Sequence, residues 1–263
     1  SIRRQRQMCI RDRKDTRVYT LNLCEMDKSM HFNPFPYIRN KSDITKLVTN
    51  LIQNTNSPNI KNSSADPFWE KAEKMFLESL FLYVWMECPK AYFNTEKGKV
   101  ELLQQNWKSI LFLLDEAQFL DNDTSPKLDE RMNELARKKP DHPAVKAYQR
   151  YRGGPDDTIR SVIMTVNARM QPFDNEELLE IFSSNDIPLD EFGTGIDGDG
   201  KTKSNLFIII PDDDDTFNFV PGMVYTMLFQ ELYRQARFFG GKLPMDVGFW
   251  LDEMANIKMP VSY

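Results

Sequence analysis

The sequence is poor in the residues that bind metals or form disulfide bridges. Its 263 residues include only two histidines and three scattered cysteines, Cys9, Cys24 and Cys88. No two of these cysteines form a C-x-x-C pair, so we expect neither a disulfide framework nor a zinc site. The composition favours a protein that works in a reducing, cytoplasmic setting.

Long hydrophobic runs are also absent. The best candidates, "LFLYVWM" and "ILFLL", fall far short of the roughly 18 apolar residues that cross a membrane. The N-terminus is charged where a secretory signal would be apolar. With 41% hydrophobic and 28% charged residues, the chain has the composition of an ordinary globular protein.

Residues 1–13 differ from the rest of the chain. Their sequence, "SIRRQRQMCIRDR", holds five arginines against one aspartate, although the whole chain carries a formal net charge of −5. A basic arm can bind nucleic acid or lipid, but "RQRQMCIRDR" also resembles translated sequencing-adapter DNA. We interpret residues 1–13 as a non-native segment and expect the chain to be an internal piece of a longer protein.

Hydrophobic periodicity predicts an α/β part followed by a helical part. Residues 17–23 combine β-branched and aromatic side chains and predict a strand. Apolar positions between Ile44 and Ile52 recur at helical spacing, which predicts a helix capped by Ser42 or Asp43. The stretch that follows predicts only helices, the first with Asp66 as N-cap and Pro67 at its first position.

The pattern returns to α/β after a Gly- and Asp-rich loop. The run "LFIIIP" predicts a strand buried on both faces, followed by a long helix that ends at Gly240 and Gly241. A second buried strand is predicted in "VGFW", so that the two strands and the helix form a parallel unit. We therefore expect residues 14–65 and 191–263 to form one α/β domain interrupted by an all-α domain at residues 66–190.

The loop from Gly195 to Thr202, "GIDGDGKT", matches the phosphate-loop pattern G-x-x-x-x-G-K-[ST]. A working phosphate loop lies between a buried strand and the start of a helix, whose N-terminus faces the phosphates. Here a polar, broken segment precedes the loop and a predicted strand follows it, and Asp197 and Asp199 would repel a polyphosphate. We interpret the loop as an acidic turn; the alternative is a GTPase or kinase site that depends on Lys201.

An apolar strand that ends in Asp-Glu can hold Mg²⁺ and activate water at a sheet edge. Two strings fit, "ILFLLDEAQF" and "VGFWLDEMAN". The first has helical spacing, so we interpret Asp115 and Glu116 as a solvated helix face. The second is short, rich in Val, Phe and Trp, and makes Asp252 and Glu253 the predicted acidic pair.

Several stretches together resemble one family. They are "VYTLNLCEMDKSMHFNPFPYI", "LVTNLIQNT", "DPFWEKAEKMFLESLFLY", "FIIIPDDDDTFNFVPGMVYTMLFQELY" and "WLDEMANI". In this order and spacing they resemble the TraG/TraD-type coupling ATPases of conjugation and type IV secretion. The resemblance implies part of a RecA-like P-loop NTPase domain with a parallel sheet and an inserted all-α domain linked to DNA or relaxase recognition.

The resemblance also implies a site and partners. ATP and Mg²⁺ are the implied cofactors, with Asp252 as the Mg²⁺ ligand through water and Glu253 as the catalytic acid, while Asn256 matches a nearby position without an assigned role. The family's phosphate loop and membrane anchor lie upstream of residues 17–23, so we expect this chain alone not to hydrolyse ATP. The implied assembly is a homo-hexamer at the cytoplasmic face of the membrane that delivers single-stranded DNA with its relaxase to the secretion channel.

A non-catalytic alternative rests on residues 127–152. This stretch is rich in basic side chains with two tyrosines among them, a pattern that suits nucleic acid. Acidic residues dilute it, so a solvated helical surface is the other interpretation. In the alternative function the helices bind DNA or the relaxosome and the α/β part is an inactive scaffold. The residues concerned are Arg137, Lys138, Lys139, Lys146, Arg150, Arg152, Tyr148 and Tyr151, diluted by Asp129, Glu130, Glu134 and Asp141.

Overall fold

The computed structural model describes residues 16–55, 67–90, 103–119, 125–211, 214, 216–251 and 257. Among these residues, a two-stranded parallel sheet is combined with helices, so the predicted α/β class is confirmed at that level. None of the helices in these ranges is long and apolar enough to cross a membrane. The domain boundaries given above remain predictions.

The sheet pairs two strands that are far apart in the chain. Strand β1 (Thr16–Asn22) lies parallel to β2 (Lys203–Ile209), with Tyr19 opposite Leu206 and Asn22 opposite Ile209. Tyr19 and Leu21 are buried, as the apolar pattern of the strand requires. The strands predicted at residues 17–23 and in "LFIIIP" are confirmed, and the described chain between them is helical apart from its connections.

The expected burial of β2 on both faces is wrong. From Ser204 to Ile209 its residues are only partly buried, and Lys203 is exposed. One edge of β2 pairs with β1, and no strand among the described residues pairs with the other edge. A strand at the edge of so small a sheet keeps contact with solvent even when its sequence is apolar.

Helix α1 (Lys41–Asn54) begins two residues earlier than predicted. Its N-cap is Asn40, whose side chain accepts a hydrogen bond from the Asp43 backbone N–H at 3.1 Å. Asp43 in turn accepts from the Asn40 N–H at 3.2 Å, which completes a capping box with Asp43 inside the helix. The predicted apolar face is confirmed, since all of its members are at most 2% exposed: Ile44, Leu47, Val48, Leu51 and Ile52.

The described residues hold eight further helices, together with short 3₁₀ turns. The helices are α2 (Pro67–Glu87), α3 (Trp107–Glu116), α4 (Lys127–Lys138), α5 (Pro143–Arg152), α6 (Asp156–Met170), α7 (Glu176–Ile181), α8 (Glu191–Thr194) and α9 (Phe219–Phe238). The predicted start of α2 at Pro67 and the end of α9 before two glycines are confirmed; Gly240 and Gly241 both adopt positive φ. Asp66 lies outside the described residues.

An aromatic cluster joins the helices that follow α1 to the helix that follows β2. The Trp107 ring at the start of α3 stacks on Phe173 with 4.5 Å between centroids, and it lies 5.3 Å from Phe81 of α2. Phe173 also packs against Phe219, the first residue of α9, at 5.2 Å. All four side chains are essentially inaccessible to solvent, so α2, α3 and α9 share one core.

A buried ion pair connects α2, α6 and the end of α1. Arg169 donates to the Glu73 carboxylate at 2.7 Å, and the two side chains are 5% and 8% exposed. The same guanidinium donates to the Ile52 carbonyl at 2.8 Å and to the Thr55 hydroxyl at 2.7 Å. One cation therefore neutralises a buried acid and also satisfies acceptors at the end of α1.

Removing this cation should destabilise the fold strongly. We expect Arg169→Met to lower the free energy of unfolding by about 3–5 kcal/mol, because the Glu73 carboxylate is left buried and unpaired. Chemical denaturation measures the change. The control Arg150→Met removes an exposed arginine of α5 and should cost less than about 0.5 kcal/mol. Adding Glu73→Leu to Arg169→Met should restore part of the loss, whereas equal losses in Arg169→Met and Arg150→Met would contradict this role.

His142 is a buried N-cap. Its Nδ1 accepts a hydrogen bond from the Ala144 N–H at 3.2 Å at the start of α5, and its side chain is 4% exposed. Its Nε2 lies 3.0 Å from a Glu87 carboxylate oxygen. Burial lowers the pKa of His142 below its ordinary 6.5, and the nearby Glu87 only partly opposes this effect.

The neutral form of His142 should make stability dependent on pH. Because its folded pKa lies below the unfolded value, the unfolded chain takes up the proton first, and stability falls as pH drops below about 6.5. Asn caps helices well but does not titrate. We therefore expect His142→Asn to lose less thermal stability than the parent protein between about pH 7.5 and pH 5.5. Equal losses, measured by circular dichroism, would count against a neutral His142.

Candidate functional site

The carboxyl ends of β1 and β2 meet at one edge of the sheet. Asn22 and Ile209 form the last pair in the register, and the Leu23 N–H donates one further hydrogen bond to the Ile209 carbonyl at 2.9 Å. Open parallel sheets bind ligands at this edge, because the chain turns away there and leaves a crevice. The edge is therefore the candidate functional site.

A cleft of about 900 Å³ opens at this edge. That volume is within the range of small-molecule sites. Strand ends provide an apolar side, and the turn before α7 and the segment before α9 provide polar groups. The lining residues are Leu23, Cys24, Met26, Asn175, Glu177, Ile209, Ile210, Pro211, Asp214 and Phe217.

The turn after β1 is held by side-chain hydrogen bonds. The Asn22 side-chain oxygen accepts from the backbone N–H groups of Cys24 and Glu25, each at 3.0 Å. The Ser29 hydroxyl accepts from the Asn22 N–H and donates to the Met30 carbonyl, each at 2.9 Å. An Asx turn of this kind fixes the direction of the chain as it leaves the strand. Cys24 is thereby placed on the wall of the cleft.

Two carboxylates face the cleft from its polar side. Glu177 lies in the first turn of α7, which Asn175 caps by accepting from the Glu177 and Leu178 N–H groups at 2.9 and 3.0 Å. Asp214 accepts from the Thr216 N–H at 2.8 Å, and this bonding to Thr216 lowers the pKa of Asp214. Asp214 is therefore expected to be ionised at neutral pH.

These carboxylates favour a cation at the sheet edge. A polyphosphate would be repelled unless a metal ion came with it. Within the described residues, no three metal-binding side chains come together. Mg²⁺ commonly binds through only one or two carboxylates, with water and substrate phosphates completing its shell. The arrangement therefore suits a metal–phosphate ligand better than a bare anion.

The predicted acidic pair cannot be placed. Asp252, Glu253 and the neighbouring Asn256 lie outside the described residues. Their roles therefore stay predictions.

The prediction of a strand just before these acids is wrong, since the described residues there form none. Residues 246–251 form no strand, and Trp250 is 90% exposed. The segment follows α9 instead, where Phe249 stacks on Phe229 at 5.0 Å and the Met245 N–H donates to the Gly193 carbonyl at 3.1 Å. A strand needs a partner for its backbone groups, and β2 does not supply one here.

Gly195, the first glycine of the phosphate-loop pattern, ends a helix instead of following a strand. Its N–H donates to the Glu191 carbonyl at 2.9 Å, which closes the last turn of α8, and its φ of 81° lets the chain reverse there. A Cβ at this position would lie 2.3 Å from the Asp199 carboxylate, so the turn requires glycine. The pattern match at Gly195 therefore reflects the tight turn after α8, and the strand that a phosphate loop needs upstream is replaced by a helix.

The rest of this loop is organised around its own aspartate. Asp199 accepts from the backbone N–H groups of Lys201 and Thr202, each at 2.9 Å, and from the Thr202 hydroxyl. β2 begins directly afterwards at Lys203, so no helix N-terminus faces the loop. The N–H groups that would contact a phosphate are thus occupied.

The loop also lies at the wrong end of the sheet for the cleft. It precedes the amino end of β2, whereas the cleft opens at the carboxyl end, about 20 Å away along a seven-residue strand. None of the residues from Gly195 to Thr202 lines the cleft. These observations support the interpretation of the loop as an acidic turn, and its exclusion as a nucleotide site stays a prediction.

The other Asp-Glu pair lies on a helix, as predicted. Asp115 is exposed in the last turn of α3, where partial burial and, to a smaller extent, the charge of Asp174 raise its pKa. Glu116 is not solvated as expected, because Arg131 of α4 binds both of its carboxylate oxygens, at 2.5 and 2.7 Å. That pair fixes α4 against α3, a structural role that the sequence pattern did not indicate.

The basic stretch at residues 127–152 does not expose its aromatic side chains. Tyr148 and Tyr151 are each 4% exposed, so neither ring can stack on a base. The Tyr148 hydroxyl donates to Asp129 at 2.8 Å, and Arg152 binds the same carboxylate at 2.7 and 2.9 Å. The geometry favours the interpretation as a solvated helical surface over a strand-binding groove.

Comparison with known families decides the assignment. Residues 7–261 match the family described as type IV secretory system conjugative DNA transfer. The chain belongs to this family. No curated protein matches the sequence.

Family membership confirms the relationship to conjugative DNA-transfer proteins that the quoted stretches predicted. The match begins at residue 7, inside the segment interpreted as non-native, and the status of residues 1–13 stays a prediction. It also spans the helices and both strands, so the cleft at the sheet edge lies within the matched part of the chain.

Sequence reasoning missed most of the groups that line the cleft in this conjugative DNA-transfer protein. Asn175, Glu177 and Asp214 carry no motif, and their approach to β1 depends on long-range packing. Asn22 was the available signal, because a polar side chain directly after an apolar strand often shapes the turn at the sheet edge.

Thiol chemistry can test the exposure of the cleft. Cys24 is exposed on its wall, whereas Cys88 is buried and burial raises the Cys88 pKa to about 11. In a Cys9→Ser background we expect a thiol reagent to modify Cys24 roughly 100-fold faster than Cys88, because reactivity follows access and the thiolate fraction. Cys24→Ser should abolish the fast phase. Two equally slow thiols would contradict an open cleft.

Proposed function

We propose that this chain is part of a coupling ATPase, which uses ATP to deliver a DNA–relaxase substrate to a type IV secretion channel. The observation that carries the proposal is the parallel pairing of β1 and β2, which places an acidic cleft at the sheet edge of a conjugative DNA-transfer protein. Parallel sheets with a ligand at this edge are the usual scaffold of nucleotide-binding domains.

In this proposal the sheet belongs to a RecA-like domain. Asp252 would hold Mg²⁺ through water, and Glu253 would polarise the water that attacks the γ-phosphate of ATP bound at the carboxyl edge. The Glu177 and Asp214 carboxylates on the described wall agree with a ligand that arrives with its cation. In this proposal the described residues contribute carboxylates to the site, and other residues hold the phosphates.

The assembly follows from the same proposal. The coupling ATPase would act as a homo-hexamer at the cytoplasmic face of the membrane, with single-stranded DNA, its relaxase and the channel as partners. The helices between β1 and β2 would recognise the DNA–relaxase substrate. The packed rings of Trp107 and Phe173 connect these helices to α9. A movement at the recognition surface would therefore be transmitted to the cleft.

Replacing the proposed catalytic acid tests the function. In donor cells whose mobile element carries Glu253→Gln, we expect DNA transfer to fall by about 10²–10⁴-fold, the usual effect of removing a general base. The amide keeps the size of the side chain, so the protein level should not change. Transfer frequency in a mating assay, with immunoblotting for the protein, measures both quantities.

The matched control uses an exposed acid outside the helices proposed to recognise the substrate and away from the cleft. Asp197→Asn also neutralises one acid, but that acid lies in the loop before the amino end of β2 and should leave transfer unchanged. Normal transfer with Glu253→Gln would contradict the ATPase proposal and favour the alternative, a DNA- or relaxosome-binding module on an inactive α/β scaffold.

A further inference from the structure

A second cleft lies between the start of α1 and the last turns of α9. Its volume is about 490 Å³, and it shares no residue with the cleft at the sheet edge. We call it the α1–α9 groove; its lining residues are Asn40, Ser42, Asp43, Lys46, Gln230, Tyr233, Arg234 and Arg237.

Gln230 is an unpaired buried amide on the wall of this groove. The residue is 7% exposed, and neither Nε2 nor Oε1 has a hydrogen-bond partner among the residues that the structure describes. A buried amide without partners costs free energy, so native proteins rarely leave one in this state. A ligand that both accepts and donates a hydrogen bond would satisfy it.

The charges around the groove favour an anion. Among the described residues, Asp43 on the groove and the neighbouring Glu231 are the carboxylates nearby, and both pair with Arg234, which binds Glu231 closely and lies 3.5 Å from Asp43. Arg237 of α9 is exposed and forms no ion pair within the described part of the chain, and Lys46 lines the groove from α1. The cations therefore outnumber the acids, and the first turn of α1 adds the positive end of a helix dipole.

We propose that the α1–α9 groove binds a phosphate-type oxyanion, either as the free ion or as a phosphate monoester. Arg237 and Lys46 attract and bind the anionic oxygens, and the Gln230 Nε2 group donates to one of them. A protonated phosphate oxygen donates to Gln230 Oε1, which a fully deprotonated anion cannot do. The long side chains of Arg237 and Lys46 rearrange to admit the ligand.

Titration of the whole chain with inorganic phosphate tests the proposal. At constant ionic strength, we expect saturable binding in calorimetry and a matching rise in the unfolding temperature. Sulfate has a similar shape and charge but at neutral pH carries no proton, so it should bind more weakly. Glycerol 3-phosphate separates the two sources: tighter binding than inorganic phosphate indicates a monoester site, and weaker binding indicates a site for the free ion.

Two variants and a control locate the binding. Arg237→Gln should weaken phosphate binding roughly tenfold, the effect of losing one charge-assisted hydrogen bond. Gln230→Leu should weaken it as well, without lowering stability in phosphate-free buffer, because the change removes an unpaired buried amide. Arg150→Gln changes an exposed arginine on α5 and should bind phosphate like the parent.

Three results would overturn the proposal. The first is the absence of saturable phosphate binding. The second is an equal loss in Arg237→Gln and Arg150→Gln, which would show general charge screening instead of a site. The third is unchanged binding in Gln230→Leu. Because Arg237 is exposed, Arg237→Gln should fold. The test therefore stays decisive even if Gln230→Leu does not fold.

Discussion

The parallel pairing of β1 and β2 is the constraint on which the rest of the structure depends. It fixes residues 16–22 against residues 203–209, so everything between them must leave the sheet and return in the same direction. Closing so long a loop costs entropy, but the cost grows only slowly with length. The pairing also brings the two carboxyl ends to one edge, which creates the cleft there.

The helices stabilise this long connection by packing against both ends of it. The Trp107–Phe173–Phe219 stack joins α3 to the start of α9, and the Arg169–Glu73 pair joins α6 to α2 and to the end of α1. Loss of packing in the helical part should therefore reach the sheet edge. This coupling has a physical basis in one shared core, whichever partner the helical surface binds.

Local patterns in the sequence predicted local structure well. The apolar spacing from Ile44 to Ile52 located α1, and the run "LFIIIP" located β2, because both signals are complete within the element. The "VGFW" strand failed because a strand also needs a partner edge. The suggestion that Tyr148 and Tyr151 contact nucleic acid failed for a similar reason. Their burial depends on tertiary packing, which residue spacing in the sequence does not reveal. The polar side of the cleft, which includes Asn175, Glu177 and Asp214, was not predicted because segments far apart in the sequence form it.

The charge at the sheet edge restricts what can bind there. Glu177 and Asp214 have the same sign as a nucleotide, so a triphosphate can approach only with a cation that outweighs them. We do not expect the loop that begins at Gly195 to relieve this repulsion, since Asp199 occupies the N–H groups of Lys201 and Thr202. In the proposed ATPase, the nucleotide site would therefore be organised around the metal ion, with its phosphate donors supplied by other residues. In such a site the acids act mainly by placing Mg²⁺, and phosphate binding and metal binding become mutually dependent.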